Sequence, residues 1–515
     1  MNDHCVGIMD TPDSALLHHS FYYKNPSASL RSNSGIWISR DWILTHGTAL
    51  SSIINKYHAI SSFVENMPSG KLTMVPQELT NELKFQVYRD SGIDDASKSN
   101  SKYRVQQHSG FVAAAWKCRL LGKTFDEFFE TWSFPKSSVE CDQLLRSIFL
   151  LIRVFDHNKP FVEISMAEQA LSRLLDQLQD PVRGTSAEIM STPFGNPVFI
   201  NSIARGIISN VVGEEDCVIM TDALAFPGGE GGPVCIISSD CNRRDVSGMV
   251  IAPLSWCRGE QVDYTLAANL APCLLDILQK RDVRVSNRTY HKETLDRGIV
   301  LVRCGISWGT GILVDKDTGI FLTCSHVVAE APGREISIVT RADKSISRVP
   351  AKLLYKTPDC QPYDVAILQV NPEDMDPSLK VIRLSHDPVL EGEPVVSIGF
   401  PFFTSIRPTV SSGVVSKTTD WAILTTCCTH SGISGGPIVS QATGEMLGMI
   451  VCNAHSSDGT MHYSRMSLAV PATVLNGPLQ EYLRTGNPEV FRAFTCNDAV
   501  AHKIWNFQLL LPSKL

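Results

Sequence analysis

Five short patterns, most of them built on glycine, occur twice and in the same order in this chain of 515 residues. Gly195-Asn196-Pro197-Val198 matches Gly392-Glu393-Pro394-Val395, and Gly206-Ile207-Ile208-Ser209 matches Gly413-Val414-Val415-Ser416. Gly231-Gly232-Pro233-Val234 matches Gly435-Gly436-Pro437-Ile438, and Gly248-Met249-Val250-Ile251 matches Gly448-Met449-Ile450-Val451. Leu266-Ala267, with the apolar stretch to Leu278, matches Leu468-Ala469 and the helix signal after it. The offset stays between 197 and 207 residues, which chance recurrence of Gly/Pro patterns does not sustain. The chain is therefore read as two copies of one architecture.

The second copy names that architecture. Short apolar runs at 299–303, 311–314, 321–323, 365–370, 395–398, 422–425 and 446–451 are separated by Gly, Pro, Asp and Ser. Such spacing predicts a β-barrel or sandwich. A closing helix is expected after Pro471, with Val474, Leu475, Leu479 and Leu483 on one face. The first copy is longer. Thr48 to Glu230 spans 182 residues and the matching His326 to Ser434 spans 108, so about 74 are inserted within 51–190. Asp94 to Gly110 is polar and reads as an exposed loop. Ser165-Met166-Ala167-Glu168 reads as a capping box ahead of Leu171, Leu174, Leu175 and Leu178, so the insertion is expected to be partly helical.

Composition removes several classes. With 43% hydrophobic and 19% charged residues, the chain has ample core and is neither disordered nor fibrous. A net charge of −7 lacks the basic footprint of a nucleic-acid binder. No run of 18 apolar residues suggests a membrane span, and Met1 to Cys5 does not open a secretory signal. The 15 cysteines include no C-x-x-C pair and no His/Cys cluster at zinc spacing, so reduced thiols and no metal or organic cofactor are expected.

Gly432-Ile433-Ser434-Gly435-Gly436-Pro437 carries the sharpest chemical signal. A serine between glycines can sit on a tight turn with its amides free, and those of Gly432 and Ser434 could face one oxyanion. A Gly-rich hairpin turn is the plainer alternative. A serine nucleophile needs a base, and His326 follows the apolar run Phe321-Leu322-Thr323. The base needs an orienting carboxylate, and Asp364 heads the run Val365-Ala366-Ile367-Leu368. The order His, Asp, Ser at separations of 38 and 70 residues is the chymotrypsin-type order.

These motifs, with Gly309-Thr310-Gly311-Ile312-Leu313-Val314 before them and Ser467-Leu468-Ala469-Val470-Pro471 after, resemble trypsin-like serine proteases of the HtrA/Deg type over about residues 296–485. The resemblance implies two trypsin-like double β-barrel halves in tandem in a mainly β chain. It assigns 1–290 to a degenerate half, 291–487 to the active protease domain and 488–515 to a C-terminal tail. It departs from HtrA in leaving no room for a PDZ domain. It departs from zymogen-activated trypsins in having Ile433 where those carry an Asp, so activation by a new N-terminus is not expected.

The first copy is expected to be a pseudoprotease: Glu230 replaces the serine, Thr48 falls where His326 would, and His46 is two residues early. Ser147 is the guessed counterpart of Asp364. By resemblance, Cys428, Cys452 and Asn453 line a small neutral substrate pocket. The alternative is that Cys427, Cys428 and Cys452 pack in the barrel core. Ser513-Lys514-Leu515 reads as a receptor-read peroxisomal address.

That end, the decayed first half and the missing PDZ resemble the peroxisomal processing branch of the family, similar to the plant glyoxysomal Deg-type enzyme. The branch implies removal of N-terminal leaders from imported proteins, cleavage of some fatty-acid β-oxidation enzymes, and self-cleavage. A self-cut is placed between 90 and 125, with Cys118 as candidate and a buried core role for Cys118 as the alternative. The expected partners are protein substrates of the peroxisomal matrix and the import receptor, with no nucleic acid and no membrane. Homo-oligomerisation stays open. Two other readings also stay open: a general quality-control protease, and a non-catalytic binding or chaperone protein.

Overall fold

The structure is a computed structural model that describes residues 13–19, 32–90, 105–134, 144–155, 162–237, 243–280, 296–331, 333–342, 345–359, 361–403, 407–455 and 462–506. The chain divides into two compact units, Met1–Arg288 and Thr289–Leu515. Among the described residues no helix is long and apolar enough to cross a membrane.

The second unit is mainly β. Its first six strands are Ile299–Cys304, Ser307–Asp315, Ile320–Thr323, Ile336–Ala342, Ser345–Lys356 and Ala366–Gln369. They close into a barrel in the spatial order first, second, third, sixth, fifth, fourth. Pro394–Gly399, Thr409–Thr418, Ile423–Thr425, Pro437–Ser440, Met446–His455 and His462–Pro471 close a second barrel in the same order. Closure leaves no strand edge to recruit another chain. The second barrel is filled by Val395, Val415, Ile423, Cys427, Ile433, Ile438 and Ile450, all nearly inaccessible to solvent. Side chains of this size contribute about 1.5–3 kcal/mol each on full burial.

The first unit repeats this plan. Ser14–His19, Ser32–Ser39, Trp42–His46, Lys84–Asp90, Val105–Lys117 and Ile148–Phe155 pair in a ring with the same order. Ser186–Ser191, Ser202–Val212, Val218–Thr221, Pro233–Ile237, Arg244–Ala252 and Thr265–Asn269 close its second barrel. The extra chain is not one insertion. It is shared among the connections of the first barrel, as the helices His58–Glu65 and Arg119–Phe128 and the short strands Thr73–Met74 and Trp132–Ser133.

Several expectations change in detail. The helix read from the capping box runs Ile164–Gln177, so it starts ahead of Ser165. Its N-cap is Glu163, and Ser165 Oγ donates to the Glu163 carboxylate rather than capping the helix. The closing helix is Ala472–Thr485, ended by Gly486 in the left-handed conformation. Residues 488–506 are packed structure rather than a tail. Phe491 and Phe494 are fully buried with stacked rings 5.9 Å apart, and Trp505 Nε1 donates to Trp421 O at 3.1 Å.

Of the loop expected at Asp94 to Gly110, residues 94–104 lie outside the described residues and Val105 onward is strand. Cys118 is 1% exposed between that strand and the helix Arg119–Phe128, with its amide donating to Ser147 O at 2.7 Å. A cut at Cys118 therefore requires this junction to open. Ser513 to Leu515 lie outside the described residues.

Candidate active site

His326 opens the turn His326–Val328 directly after the buried strand Ile320–Thr323. Ser325 Oγ donates to Thr357 O at 2.9 Å and pins the turn to the chain that leads to Asp364. One Asp364 oxygen accepts the His326 backbone N–H at 3.0 Å. The other lies 2.5 Å from ring Nδ1. The carboxylate thus fixes both the backbone and the ring. The His326 side chain is half exposed and that of Asp364 is less so.

The turn carrying Ser434 is built from backbone. Ile433 N donates to His430 O at 3.0 Å and Gly436 N to Ile433 O at 2.8 Å. Gly435 N and Ile450 O are 2.8 Å apart, as are Ile450 N and Gly436 O. Gly432 and Gly435 have φ of +103° and +86°, where a side chain is strained. A Cβ at Gly432 would also collide with Phe400 O and the Trp308 indole nitrogen. Ser434 is half-buried. Among the described residues the Gly432 and Ser434 amides have no acceptor, and neither Ser434 Oγ nor His326 Nε2 makes a hydrogen bond.

Thr310, on the strand Ser307–Asp315, joins the two barrels of this unit at the turn. Its N–H donates to Ser434 O at 2.8 Å and its hydroxyl to Gly432 O at 2.8 Å. The same Oγ1 accepts from Phe400 N at 3.1 Å, while Thr310 O accepts the Thr323 hydroxyl at 2.7 Å. Thr323 is three residues before His326, so one buried threonine ties the serine turn to the histidine strand. In the sequence Thr310 is visible only as part of a motif. Its role shows only once the strands are paired.

The residues read as pocket lining are distributed as follows. Cys427 and Cys428 are fully buried, and Cys428 Sγ lies 3.3 Å from His430 Nε2. His430 packs on Phe402, with ring centroids 4.8 Å apart. Cys452 is half-buried, and burial, aided by the Asp364 charge, pushes its thiol up to about 11. Asn453 donates to Thr429 O at 2.9 Å, and its carbonyl oxygen accepts from Thr429 Oγ1 and Ser467 Oγ. Cys428 is thus paired with His430, and Asn453 with Thr429 and Ser467.

The first unit holds the same frame with different chemistry. Ser34 takes the part of Thr310. Its N–H donates to Glu230 O at 2.8 Å, its hydroxyl to Gly228 O at 2.8 Å, and its Oγ accepts from Thr192 N at 3.0 Å. Thr45 Oγ1 donates to Ser34 O at 2.7 Å. Gly228 and Gly231 have φ of +94° and +87°. Here, however, Gly228 N donates to Glu230 Oε2 at 2.8 Å, so the carboxylate at the serine position closes on the amide that matches Gly432. Strand register puts Thr45 opposite Leu150 and Thr323 opposite Ala366. The counterpart of Asp364 is therefore Ile148, one residue past Ser147, and it carries no charge. Thr48, at the histidine position, accepts from Asn33 Nδ2 at 3.2 Å. His46 is fully buried between Thr48 Oγ1 at 3.0 Å and Arg146 O at 2.9 Å, and burial pushes its pKa down to about 4.

A family model described as a trypsin-like peptidase domain matches residues 309–449. The double barrel and the glycine-flanked serine turn make this chain a trypsin-like serine protease. The chain is similar to the periplasmic serine endoprotease DegP of Escherichia coli (strain K12), 29% identical over 152 residues, which are 27% of this chain and 29% of that protein. It is also similar to the peroxisomal leader peptide-processing protease of Homo sapiens, 30% identical over 429 residues, 76% of this chain and 72% of that protein. The Mus musculus protein of the same name is 28% identical over 357 residues, 64% of this chain and 60% of that protein. The chain belongs to the peroxisomal leader peptide-processing protease family.

Proposed function

We propose that the second unit is a serine endopeptidase in which Ser434 attacks the peptide carbonyl. His326 Nε2 takes the serine proton and returns it to the leaving amine, while Asp364 holds the proton of Nδ1 and steadies the imidazolium. The Gly432 and Ser434 N–H groups receive the oxyanion. The observation that carries this reading is the pair of acceptor-free amides beside Ser434, in a unit where His326 and Asp364 are already hydrogen-bonded. A serine–histidine hydrogen bond is expected to form when substrate binds. The first unit, with the Glu230 carboxylate on the Gly228 amide, is a pseudoprotease that supports or guides.

Family membership makes this a peroxisomal serine protease. The substrates we infer are imported matrix proteins bearing N-terminal leaders, among them enzymes of fatty-acid β-oxidation. Ser513-Lys514-Leu515 would be read by the import receptor. Self-cleavage within 90–125, with Cys118 as the candidate, is part of the same reading.

The test incubates purified chain with a fluorophosphonate probe, then with leader-bearing and with unfolded substrates. The expected result is labelling that Ser434→Ala removes, and a single cut in the leader substrate. Indiscriminate digestion of unfolded protein would favour a quality-control role. No labelling would favour a non-catalytic binder. Intact mass of the wild-type and Ser434→Ala chains reads self-cleavage directly.

A further inference from the structure

The linear spacing of cysteine and histidine shows no metal site, yet among the described residues the fold assembles one set of ligands. The Cys324 thiol, a His326 ring nitrogen and an Asp364 oxygen lie within 4.8 Å of one another. Cys324 is fully buried at the end of the strand Ile320–Thr323, and its thiol is aimed by donating to Ile450 O at 3.2 Å. That carbonyl also accepts Gly435 N at 2.8 Å, so it keeps a partner if the thiol turns away. Cys452, a second thiol, is half-buried on the second-barrel strand Met446–His455, the strand whose Ile450 carbonyl receives the Cys324 thiol.

We propose that Cys324, His326 and Asp364 form an inhibitory site for a zinc-class divalent cation, with Cys452 or water in the fourth position. The inference rests on the reading of His326 and Asp364 as members of the catalytic triad. A thiol, an imidazole and a carboxylate are the donor set of tetrahedral zinc, and a sulfur ligand disfavours magnesium and calcium, which take oxygen. Zinc bonds of about 2.0–2.3 Å put neighbouring ligand atoms about 3–4 Å apart. The Cys324 sulfur has to close in slightly and the Nδ1–Asp364 pair, now at 2.5 Å, has to open slightly.

The proton balance explains the inhibition. The Cys324 thiol gives up its proton to solvent as the sulfur–metal bond forms. The Nδ1–H bond to Asp364 breaks, and that proton moves to Nε2 as Nδ1 binds the ion. Nε2, now protonated, cannot accept from Ser434, and the Asp364 oxygen is committed to the metal. The thiol has to leave Ile450 O to bind the ion, so the site is a regulator rather than a resident structural metal.

The full chain, stripped with chelator, is assayed on a leader-bearing peptide while free zinc is raised, beside Cys324→Ser and Cys324→Ala. The expected result is saturable inhibition of the wild type, reversed by chelator, with at least about tenfold weaker inhibition in both variants, each active without zinc. Magnesium has no effect. Cadmium serves as a second probe, because its bond to thiolate absorbs in the ultraviolet whether or not the enzyme turns over. The wild-type and Ser434→Ala chains should show one thiolate band that Cys324→Ser lacks. Equal zinc inhibition of wild type and both cysteine variants, or a cadmium spectrum unchanged by Cys324→Ser, overturns the proposal. Failure of the triad reading looks different: the metal-free chain is inactive and Ser434 is not labelled, while the cadmium band persists.

Discussion

The turn Gly228 to Gly232 in the first unit and the turn Gly432 to Gly436 in the second are fixed by the same backbone hydrogen bonds. Gly231 N donates to Val250 O and Val250 N to Gly232 O, as Gly435 N does to Ile450 O and Ile450 N to Gly436 O. Both turns carry two left-handed glycines and are clamped by a hydroxyl residue, Ser34 or Thr310, on the second strand of the preceding barrel. They differ in what stands between the glycines. A serine leaves the neighbouring amides open, and a glutamate fills one of them from within. The same turn can therefore carry different chemistry, because main chain and one hydroxyl hold its shape while the residue between the glycines sets what its amides face.

The largest test of that contrast is at the two key residues. Ser434→Ala or His326→Ala should lower kcat/KM on the order of a thousandfold or more, and the double variant should be no worse than the single ones. Glu230→Ala should leave kcat/KM within about twofold. A large loss there would show that the first unit takes part in catalysis. Steady-state kinetics on one leader-bearing peptide reads all four chains.

The clamps should separate next. Thr310→Val removes the hydroxyl that holds Gly432 O and Phe400 N. The serine turn should loosen, lowering kcat about 10- to 100-fold with little change in KM. Ser34→Ala, the same change in the first unit, should cost about 1 kcal/mol of stability and no activity. A KM effect equal to the kcat effect in Thr310→Val would point to a merely structural role.

His46 makes the first unit sensitive to acid. Its pKa is about 4 when folded and 6.5 when unfolded, so between those values the unfolded state binds more protons. Stability is full above pH 6.5, falls as the pH drops, and levels off near pH 4 after losing about 3 kcal/mol. Hydrogen exchange of the strand Trp42–His46 should accelerate over this window, and His46→Gln should flatten the profile. Nothing comparable is expected at the strand Ile320–Thr323, where Cys324 stands in the place of His46.

A smaller effect on stability than that of His46 belongs to the Glu230 carboxylate. Glu230→Ala strands the Gly228 amide and should lower stability by about 1–2 kcal/mol, while Glu230→Gln, which still accepts, should recover part of it. Urea midpoints of the two variants check this.

Much of the fold was legible because it recurs. The repeated glycine patterns mark turns that only glycine builds cheaply, so Gly435-Gly436-Pro437 and Gly231-Gly232-Pro233 stood out. Strands with apolar cores, such as Ile320–Thr323 and Met446–His455, were visible as runs. The hairpin Ile336–Ala342 with Ser345–Lys356 was not. It is half polar and carries Pro350, which is tolerated because it faces Ser337 on one side and lies beyond the pairing with Ala366–Gln369 on the other. Ser165 misled as a cap because a local Ser/Glu pattern cannot reveal that Glu163 already starts the helix. Ser147 missed its target by one position because strand register is set by pairing across the barrel, which no linear spacing records.

The sequence by itself determined the duplication, the β architecture, and the residues a serine protease would use, because turn glycines, apolar runs and a glycine-flanked serine are local in the chain. The tertiary structure alone decided that Thr310 clamps the serine turn, that Glu230 closes on the Gly228 amide, and that Cys324 stands beside His326 and Asp364. Each of these depends on side chains and amides that barrel closure brings together from strands and turns separated in the sequence, and hydrogen-bond geometry acts over distances of about 3 Å that sequence spacing does not measure.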